Sequence, residues 1–266
     1  MRKGNLILNT VLVSGIVFFI SCKKEVKNIY QNPVADSSDI SITNASPAVS
    51  NLQFYLNDKL ISLPDTPLSY GKTVFATYIN NANPYYPDTT ILPYINIPTG
   101  YQQLGFGSYG SSNKFNTLNN NFEPRGKYSI FITDTFIHGQ VKAVLLKDNV
   151  GTTDSTKSQI RFLNLSPDAP PLDVWAYPSA GYVGYKIFSG CAYLPNDFNS
   201  FTNAELFSVI NAGPYYFEAT VAGTSDVVLG GLLMIHRQNV ITIYTKGYIA
   251  GTGTNSIDVG VIEYKP

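Results

Sequence analysis

The sequence predicts an all-β protein, built from two tandem immunoglobulin-like β-sandwich domains that follow an N-terminal export signal. Three observations lead to this prediction: apolar residues that alternate with a period of two, frequent proline and glycine turn signals, and an internal repeat. The 266 residues include 21 Gly, 16 Pro, 19 Tyr and 15 Phe, a composition typical of short strands joined by turns. This length allows one large domain or two modest ones.

Charge and cysteine content exclude several classes of protein. Lys and Arg number 18 and are balanced by 18 Asp and Glu, and only 14% of the residues are charged, against roughly 25% in ordinary soluble domains. This balance argues against a nucleic-acid partner and against a charge-rich disordered chain. Two cysteines are too few for a disulfide scaffold or a cysteine-rich zinc site.

The first 22 residues resemble the export signal of a bacterial lipoprotein. Two basic residues precede a mostly apolar run at 6–20, which is shorter than the roughly 20 residues that a membrane span needs. The run ends in Phe-Ile-Ser-Cys, which resembles a lipobox whose cysteine becomes the acylated first residue of the mature protein. An uncleaved anchor helix or an ordinary secretory signal is the alternative. We therefore expect a signal peptide at 1–21 and membrane attachment through acylated Cys22.

Residues 22–38 predict a flexible tether that begins at the acylated Cys22. The segment is polar and cannot bury enough apolar surface to fold alone. The lysine directly after the cysteine resembles lipoproteins that are forwarded to the outer membrane, and the charged cluster at 23–25 loosely resembles surface-export signals of Bacteroidota lipoproteins. We expect a surface-exposed lipoprotein of the outer membrane in the cell envelope, with the leaflet left open.

An internal repeat divides the rest of the chain. Residues 40–47 align with residues 160–167 at an offset of 120, with Ile, Asn, Ser and Pro identical. Further on, residues 128–131 align with residues 241–244. About seven strands are expected in each copy. The predicted segments are repeat 1 at 39–149, a linker at 150–157 and repeat 2 at 158–266.

The second copy carries the motif on which a family resemblance rests. Residues 161–175 read Arg-Phe-Leu-Asn-Leu-Ser-Pro-Asp-Ala-Pro-Pro-Leu-Asp-Val-Trp. The Ser-Pro-Asp-Ala-Pro segment, followed by Asp-Val and an aromatic residue, resembles the signature of the bacterial domain of unknown function 4397. The resemblance implies an exported, often tandem β-sandwich module of surface lipoproteins. It implies no known reaction.

We expect the motif to have a structural role. Ser166 and Asp168 can bond nearby backbone N–H groups, and Pro167 fixes φ, which together make a rigid link between two strands. A catalytic or metal-binding role for Asp168 is disfavoured because Ala48 stands at the same place in the first copy. The residues assigned to this structural motif are Asn44, Ser46, Pro47, Asn164, Ser166, Pro167, Asp168 and Asp173.

The sequence shows no recognisable set of catalytic or metal-ligating residues. A Gly-x-Gly-x-x-Gly pattern at 105–110 is not followed by the helix that a phosphate-binding loop requires. His138 and His236 have no carboxylate or cysteine at ligand spacing, and Cys191 has no basic neighbour that would lower its pKa. We therefore expect no catalytic residues, no metal and no cofactor. A hydrolase with its site across the domain interface is a less favoured alternative.

The aromatic residues supply the candidate binding surface. If one face of each matched strand forms the core, Tyr55 and Trp175 take equivalent positions on the opposite face, with Tyr177 two residues beyond. An outward Trp and Tyr pair can stack on sugar rings or on a protein partner, unless a loop or the other domain covers it. The core face so predicted comprises Leu52, Phe54, Leu56, Leu172, Val174 and Ala176. The tyrosines expected at loop ends in the same role are Tyr85, Tyr86, Tyr101, Tyr182, Tyr185, Tyr215 and Tyr216.

Together these observations predict a non-catalytic, lipid-anchored envelope protein that binds a glycan or another envelope protein. The alternative is a structural accessory subunit of an outer-membrane complex.

Overall fold

The computed structural model describes residues 36–62, 67–74, 94–135, 140–151, 154–178, 183–194 and 207–264. Across these ranges the chain forms seventeen β-strands and one short 3-10 turn at 253–255, which confirms the all-β prediction. None of these described residues belongs to a helix long and apolar enough to cross a membrane. The expected signal peptide, Cys22 and most of the tether lie outside the described residues.

Among the described residues, the first half of the chain contains nine strands in two sheets, and the second half contains eight. The nine strands are β1 (Ser37–Asn44), β2 (Asn51–Leu56), β3 (Lys59–Leu60), β4 (Leu68–Ser69), β5 (Ile95–Pro98), β6 (Gly100–Ser108), β7 (Lys114–Phe122), β8 (Lys127–Thr135) and β9 (Gln140–Lys147). One sheet, called inner below, has the order β5-β1-β8-β9; the outer sheet has the order β3-β2-β6-β7, with β4 also paired to β2. Strand β1 begins inside the last two residues of the expected tether.

The second half contains eight strands with a matching arrangement. They are β10 (Lys157–Leu163), β11 (Leu172–Pro178), β12 (Tyr185–Cys191), β13 (Ser208–Asn211), β14 (Gly213–Val221), β15 (Val227–Ile235), β16 (Val240–Lys246) and β17 (Asp258–Tyr264). The inner sheet has the order β13-β10-β16-β17, and the outer sheet has the order β12-β11-β14-β15. Both halves exceed the expected seven strands. In the first half the excess comes from β3 and β4, which have two residues each.

The strand register repeats along with the sheet order. Ile40 pairs in parallel with Tyr128, and Ile160 pairs in parallel with Ile241, so the aligned segments occupy equivalent places. The predicted core faces of β2 and β11 do lie in the two sandwich cores, with Leu56 at the margin of the first. The immunoglobulin-like subtype and the domain boundaries stay predictions.

The two inner sheets pack against each other, so their central strands are buried on both faces. In β8, Ile130 belongs to the first sandwich core, whereas its neighbour Phe131 lies in a cluster shared with the second half. The ring of Phe131 meets that of Tyr244 at a centroid distance of 5.7 Å. The shared cluster comprises Ala45, Phe131, Val144, Leu146, Leu163, Leu165, Leu194, Tyr244 and Ile262.

A buried ion pair joins the two halves beside this cluster. The Nη1 atom of Arg161 in β10 lies 2.6 Å from Oδ1 of Asp148, and the two side chains are 2% and 0% exposed. Arg161 also donates from Nη2 to the hydroxyl of Ser129 (2.8 Å) and from Nε to that of Thr242 (2.9 Å). The Tyr94 hydroxyl donates to Oδ2 of Asp148 at 2.6 Å. Burial and this carboxylate raise the pKa of Tyr94 well above its ordinary value.

Replacing Asp148 by alanine should therefore destabilise the protein strongly. Removing one partner leaves the Arg161 charge buried without compensation, which costs about 3–5 kcal/mol in the free energy of unfolding. The matched control is Glu123→Ala, which removes an exposed ion pair with Lys147 and should cost less than about 1 kcal/mol. Urea denaturation of both variants measures the difference. Similar small losses in the two would show that the buried pair does not stabilise the fold.

Candidate binding surface

The asparagines of the repeated motif anchor the loops that connect the inner and outer sheets. Asn44 donates from Nδ2 to two backbone carbonyls at 2.7 and 3.1 Å, and Asn164 does the same at 3.2 Å each. Their Oδ1 atoms accept from the backbone N–H of Ser46 and Ser166, respectively, at 3.3 Å. These four residues are buried. Their side chains satisfy backbone groups inside each sandwich.

Each motif loop is also held by a carboxylate, which belongs to the loop itself in the second half and to β8 in the first. Asp168 accepts from the backbone N–H groups of residues 249 and 250 at 2.7 and 2.9 Å, beyond the end of β16. Ala48 replaces it in the first half, where Asp134 near the end of β8 accepts from the Ala48 N–H at 3.2 Å and from the Ser46 hydroxyl. All of these contacts are structural. Pro47 and Pro167 lie half-buried in the same loops.

Asp173 in β11 is a buried carboxylate with four donors. It accepts from Lys186 Nζ at 2.5 Å, from the backbone of Gly190 and Gly223 at 2.8 and 3.1 Å, and from the Ser189 hydroxyl at 3.2 Å. The ammonium and the two N–H groups hold the pKa of this carboxyl well below its usual range. Asp173 therefore ties β12 and the β14–β15 turn to β11.

Trp175 and Tyr177 lie on the outer surface of the second outer sheet, where both are half-buried. The register sets Trp175 opposite Lys186 on β12 and Glu218 on β14. The Lys186 ammonium lies 5.1 Å from the indole centroid, and the Tyr177 hydroxyl donates to Glu218 at 2.9 Å. This bond, with burial, raises the pKa of Tyr177.

Tyr216 completes this surface. It lies within β14 rather than at a loop end, and its ring centroid is 6.3 Å from that of Tyr177. Leu232 and Met234 border it on β15, 84% and 51% exposed. The name aromatic face is used below for Trp175, Tyr177, Tyr216, Lys186 and Glu218. The two aromatic residues predicted in the second half thus share one surface, but their polar neighbours come from other strands.

Tyr55 occupies the equivalent place on the outer sheet of the first half. The Lys114 ammonium lies 5.0 Å from its ring centroid, much as Lys186 covers Trp175. The Tyr55 hydroxyl accepts from Gln53 at 2.8 Å, and the counterpart of Tyr177 is Asn57. Tyr55 thus lies on a surface separate from the aromatic face, and among the described residues no contact of another aromatic ring with it is seen.

The other described candidates lie elsewhere in the fold or at its edges. Tyr101 is exposed, Tyr215 is buried in the second core, and Tyr185 lies at an edge strand. Within the described parts of the chain, no three His, Cys, Asp or Glu residues could hold a metal ion. His236 pairs with Glu263 at the surface. Burial and then Asp173 raise the pKa of Cys191 to about 11. Tyr85, Tyr86, Tyr182 and His138 lie outside the described residues.

Asp173→Asn should weaken the fold in a pH-dependent way. Loss of the charge-assisted bonds is expected to cost about 1.5–3 kcal/mol at pH 7. A carboxyl whose pKa is lowered on folding stabilises the protein above its unfolded pKa of about 3.9, and this contribution disappears as the pH falls through the lower folded value. The gap between wild type and variant should therefore shrink below about pH 4. Denaturant titrations at several pH values, with the exposed Asp226→Asn as control, test this; a constant gap would contradict it.

Solved structures show only weak likeness to this chain. The Bacillus anthracis TIE protein is 11% identical, with 78% of this chain and 33% of that chain covered and a TM-score of 0.21, so this chain spans about a third of it. Family 41 carbohydrate-binding modules from streptococcal virulence factors, described for alpha-glucan recognition, are 10% identical to this chain. The match covers 78% of this chain and 92% of that chain, with a TM-score of 0.23. A candidate cell adhesion protein from Bacteroides eggerthii is 8% identical to this chain. The match covers 88% of this chain and 98% of that chain, with a TM-score of 0.24. Likeness at this level carries no argument about ligand or function.

Sequence families give a firmer result. No curated protein matches the chain. A family model described as a domain of unknown function, DUF4397, matches residues 38–175, just over half of the chain. The match runs from β1 to the Trp175 of β11, and so includes both copies of the Asn-x-Ser-Pro motif. The chain belongs to the DUF4397 family.

Proposed function

We propose that the protein is a non-catalytic binding module of the cell surface, and that its aromatic face binds a glycan. The observation that carries the proposal is the grouping of Trp175, Tyr177 and Tyr216 on one open sheet surface, with Glu218 and Lys186 between and beside the rings. Aromatic rings supply apolar area for the faces of sugar rings, while the polar groups fix orientation by hydrogen bonds.

The polar groups of the aromatic face already have partners within the protein. The Lys186 ammonium pairs with Asp173, and the Glu218 carboxylate accepts a hydrogen bond from the Tyr177 hydroxyl. The zero formal net charge of the chain points the same way. These features favour an uncharged sugar over an acidic or strongly basic ligand, because recognition then depends on stacking and hydrogen bonds rather than on long-range attraction.

The glycan hypothesis predicts unequal effects of two matched aromatic substitutions. Trp175→Ala should reduce retention of the purified protein on a glycan array at least tenfold, because loss of a stacked ring costs roughly 1.4 kcal/mol or more. Tyr55→Ala removes the equivalent residue of the first half and should leave retention unchanged. Circular dichroism confirms that both variants fold. Absence of any retained glycan, or equal loss in the two variants, would count against the aromatic face.

An envelope protein is the second candidate for the ligand, and the exposure of Leu232 and Met234 beside the aromatic face favours it. Such a contact would make the chain an accessory subunit of an outer-membrane complex. Co-purification of the same envelope protein with wild type and with Trp175→Ala would support this reading over glycan recognition.

We further propose that acylated Cys22 anchors the protein in the outer membrane, with the two sandwiches at the cell surface. The lipobox at 19–22 and the polar segment after it support this proposal.

The anchor is tested by metabolic labelling with palmitate. Cys22→Ala should abolish incorporation, because the thiol is the site of acylation. Cys191→Ala removes the other cysteine of the chain and should keep full labelling. Label that persists in Cys22→Ala would exclude the anchor.

A further inference from the structure

Strand β15 is an unusual edge strand. It ends the outer sheet of the second half, and its nine residues are all aliphatic, methionine or glycine. Each of the other described edge strands of seven or more residues, β7, β9, β12 and β17, carries at least one charged residue. Charges on edge strands oppose pairing with other chains. Strand β15 lacks this protection while it exposes Val227, Leu232 and Met234.

A slot opens into the second sandwich beside this edge. Its volume is about 220 Å³, and it lies between β15 and β17, the edge strands of the two sheets. Core side chains, including Phe162, Phe217 and Ile243, form its floor, and the exposed Val259 and Val261 line its rim. Apolar core surface is therefore accessible from this side of the protein.

The corresponding side of the first half is polar rather than apolar. Leu118 of β7 stands opposite the core residue Leu104, while Gly231 of β15 stands opposite the core residue Phe217 at the same register. A Cβ at Gly231 would meet nothing within 4 Å. The opening of about 210 Å³ between β7 and β9 is lined mostly by polar side chains, among them Asn120, Glu123 and Lys147. The apolar slot of the second half thus coincides with a glycine at the position that Leu118 occupies in the first.

We propose that a second copy of this chain covers the slot, by antiparallel pairing of β15 with its own counterpart about a twofold axis. Such pairing satisfies backbone groups along the edge and joins the two outer sheets into one. In such a pair, directly opposed residues point to the same face of the sheet. The core-facing side chains of β15 therefore stay on the core side of the joined sheet, and its exposed side chains stay on the outer side. An uncharged strand meets its copy without like-charge repulsion.

The side chains of β15 suit this self-pairing. Inward positions alternate as Leu229, Gly231 and Leu233, so the register in which Leu233 of the second copy opposes Gly231 also sets Leu232 opposite its own counterpart at the axis. That Leu233 then fills the place that Leu118 fills in the first half. A hydrocarbon ligand would fill the slot but leave the backbone edge of β15 unpaired, which is why a second copy is favoured. This inference does not depend on glycan binding.

Disulfide trapping in intact envelopes of cells that express the full chain tests the pairing. In a Cys191→Ser background, Leu232→Cys should give a reducible species of twice the mass, at least tenfold more abundant than from Val209→Cys. Val209 is the matched control because it is 56% exposed on β13, an edge strand of the inner sheet. Absence of the species from Leu232→Cys, or equal yield from Val209→Cys, would overturn the proposal.

Charge on the edge gives an independent test. The double variant Leu232→Lys, Met234→Lys alters only exposed side chains, so the fold should persist. The yield of cross-linked dimer should fall at least tenfold, measured with a photo-crosslinker that does not react through lysine amines. Val209→Lys should leave the yield unchanged. A dimer that survives both lysines would overturn the proposal. A monomer whose native mass spectrum shows a bound hydrocarbon, absent from Gly231→Leu, would also overturn it and assign the slot to a lipid chain.

Discussion

The contact between the two inner sheets is the constraint on which the other features of the molecule depend. It buries β8 and β16 on both faces, and it encloses the Arg161–Asp148 pair, whose side chains are 2% and 0% exposed. Because the inner faces are used in this way, the faces left for partners are those of the outer sheets. The aromatic face and the β15 edge both belong to the outer sheet of the second half, so the two halves divide scaffold and recognition unequally.

Divergence between the repeats follows from this shared framework. Positions that hold the framework together keep their residue type, as Asn44 and Asn164 do, or take it from another segment, as Asp134 and Asp168 do. Positions on the outer sheets change their chemistry: Trp175 stands where the first half has Tyr55, and Gly231 where it has Leu118. The first half thereby presents a polar edge, while the second carries an aromatic surface and an apolar slot.

Local pattern was enough to predict the strands and their cores. The alternation in β2 and β11 placed Leu52 and Leu172 inward, and the repeat predicted the shared register, because both signals lie within short stretches of chain. Strands β3 and β4 are too short to show a period. Burial of both faces of β8 could not be foreseen, since Ser129 and Thr133 are polar enough to face water. Lys186 and Glu218 come to lie beside Trp175 because β11 pairs with β12 and with β14. No local sequence pattern encodes that pairing.

The contact between the two inner faces also limits how further repeats could be added to this architecture. In solenoid proteins each repeat offers a free face to the next, so copies can be added in series. Here each repeat uses its inner face on the other, and Asp134 of the first even accepts the hydroxyl of Tyr248 from the second. A third copy could not stack on this pair through an inner face, because the two inner faces are already used on each other. The two repeats are therefore a mutual pair rather than the first two units of a series.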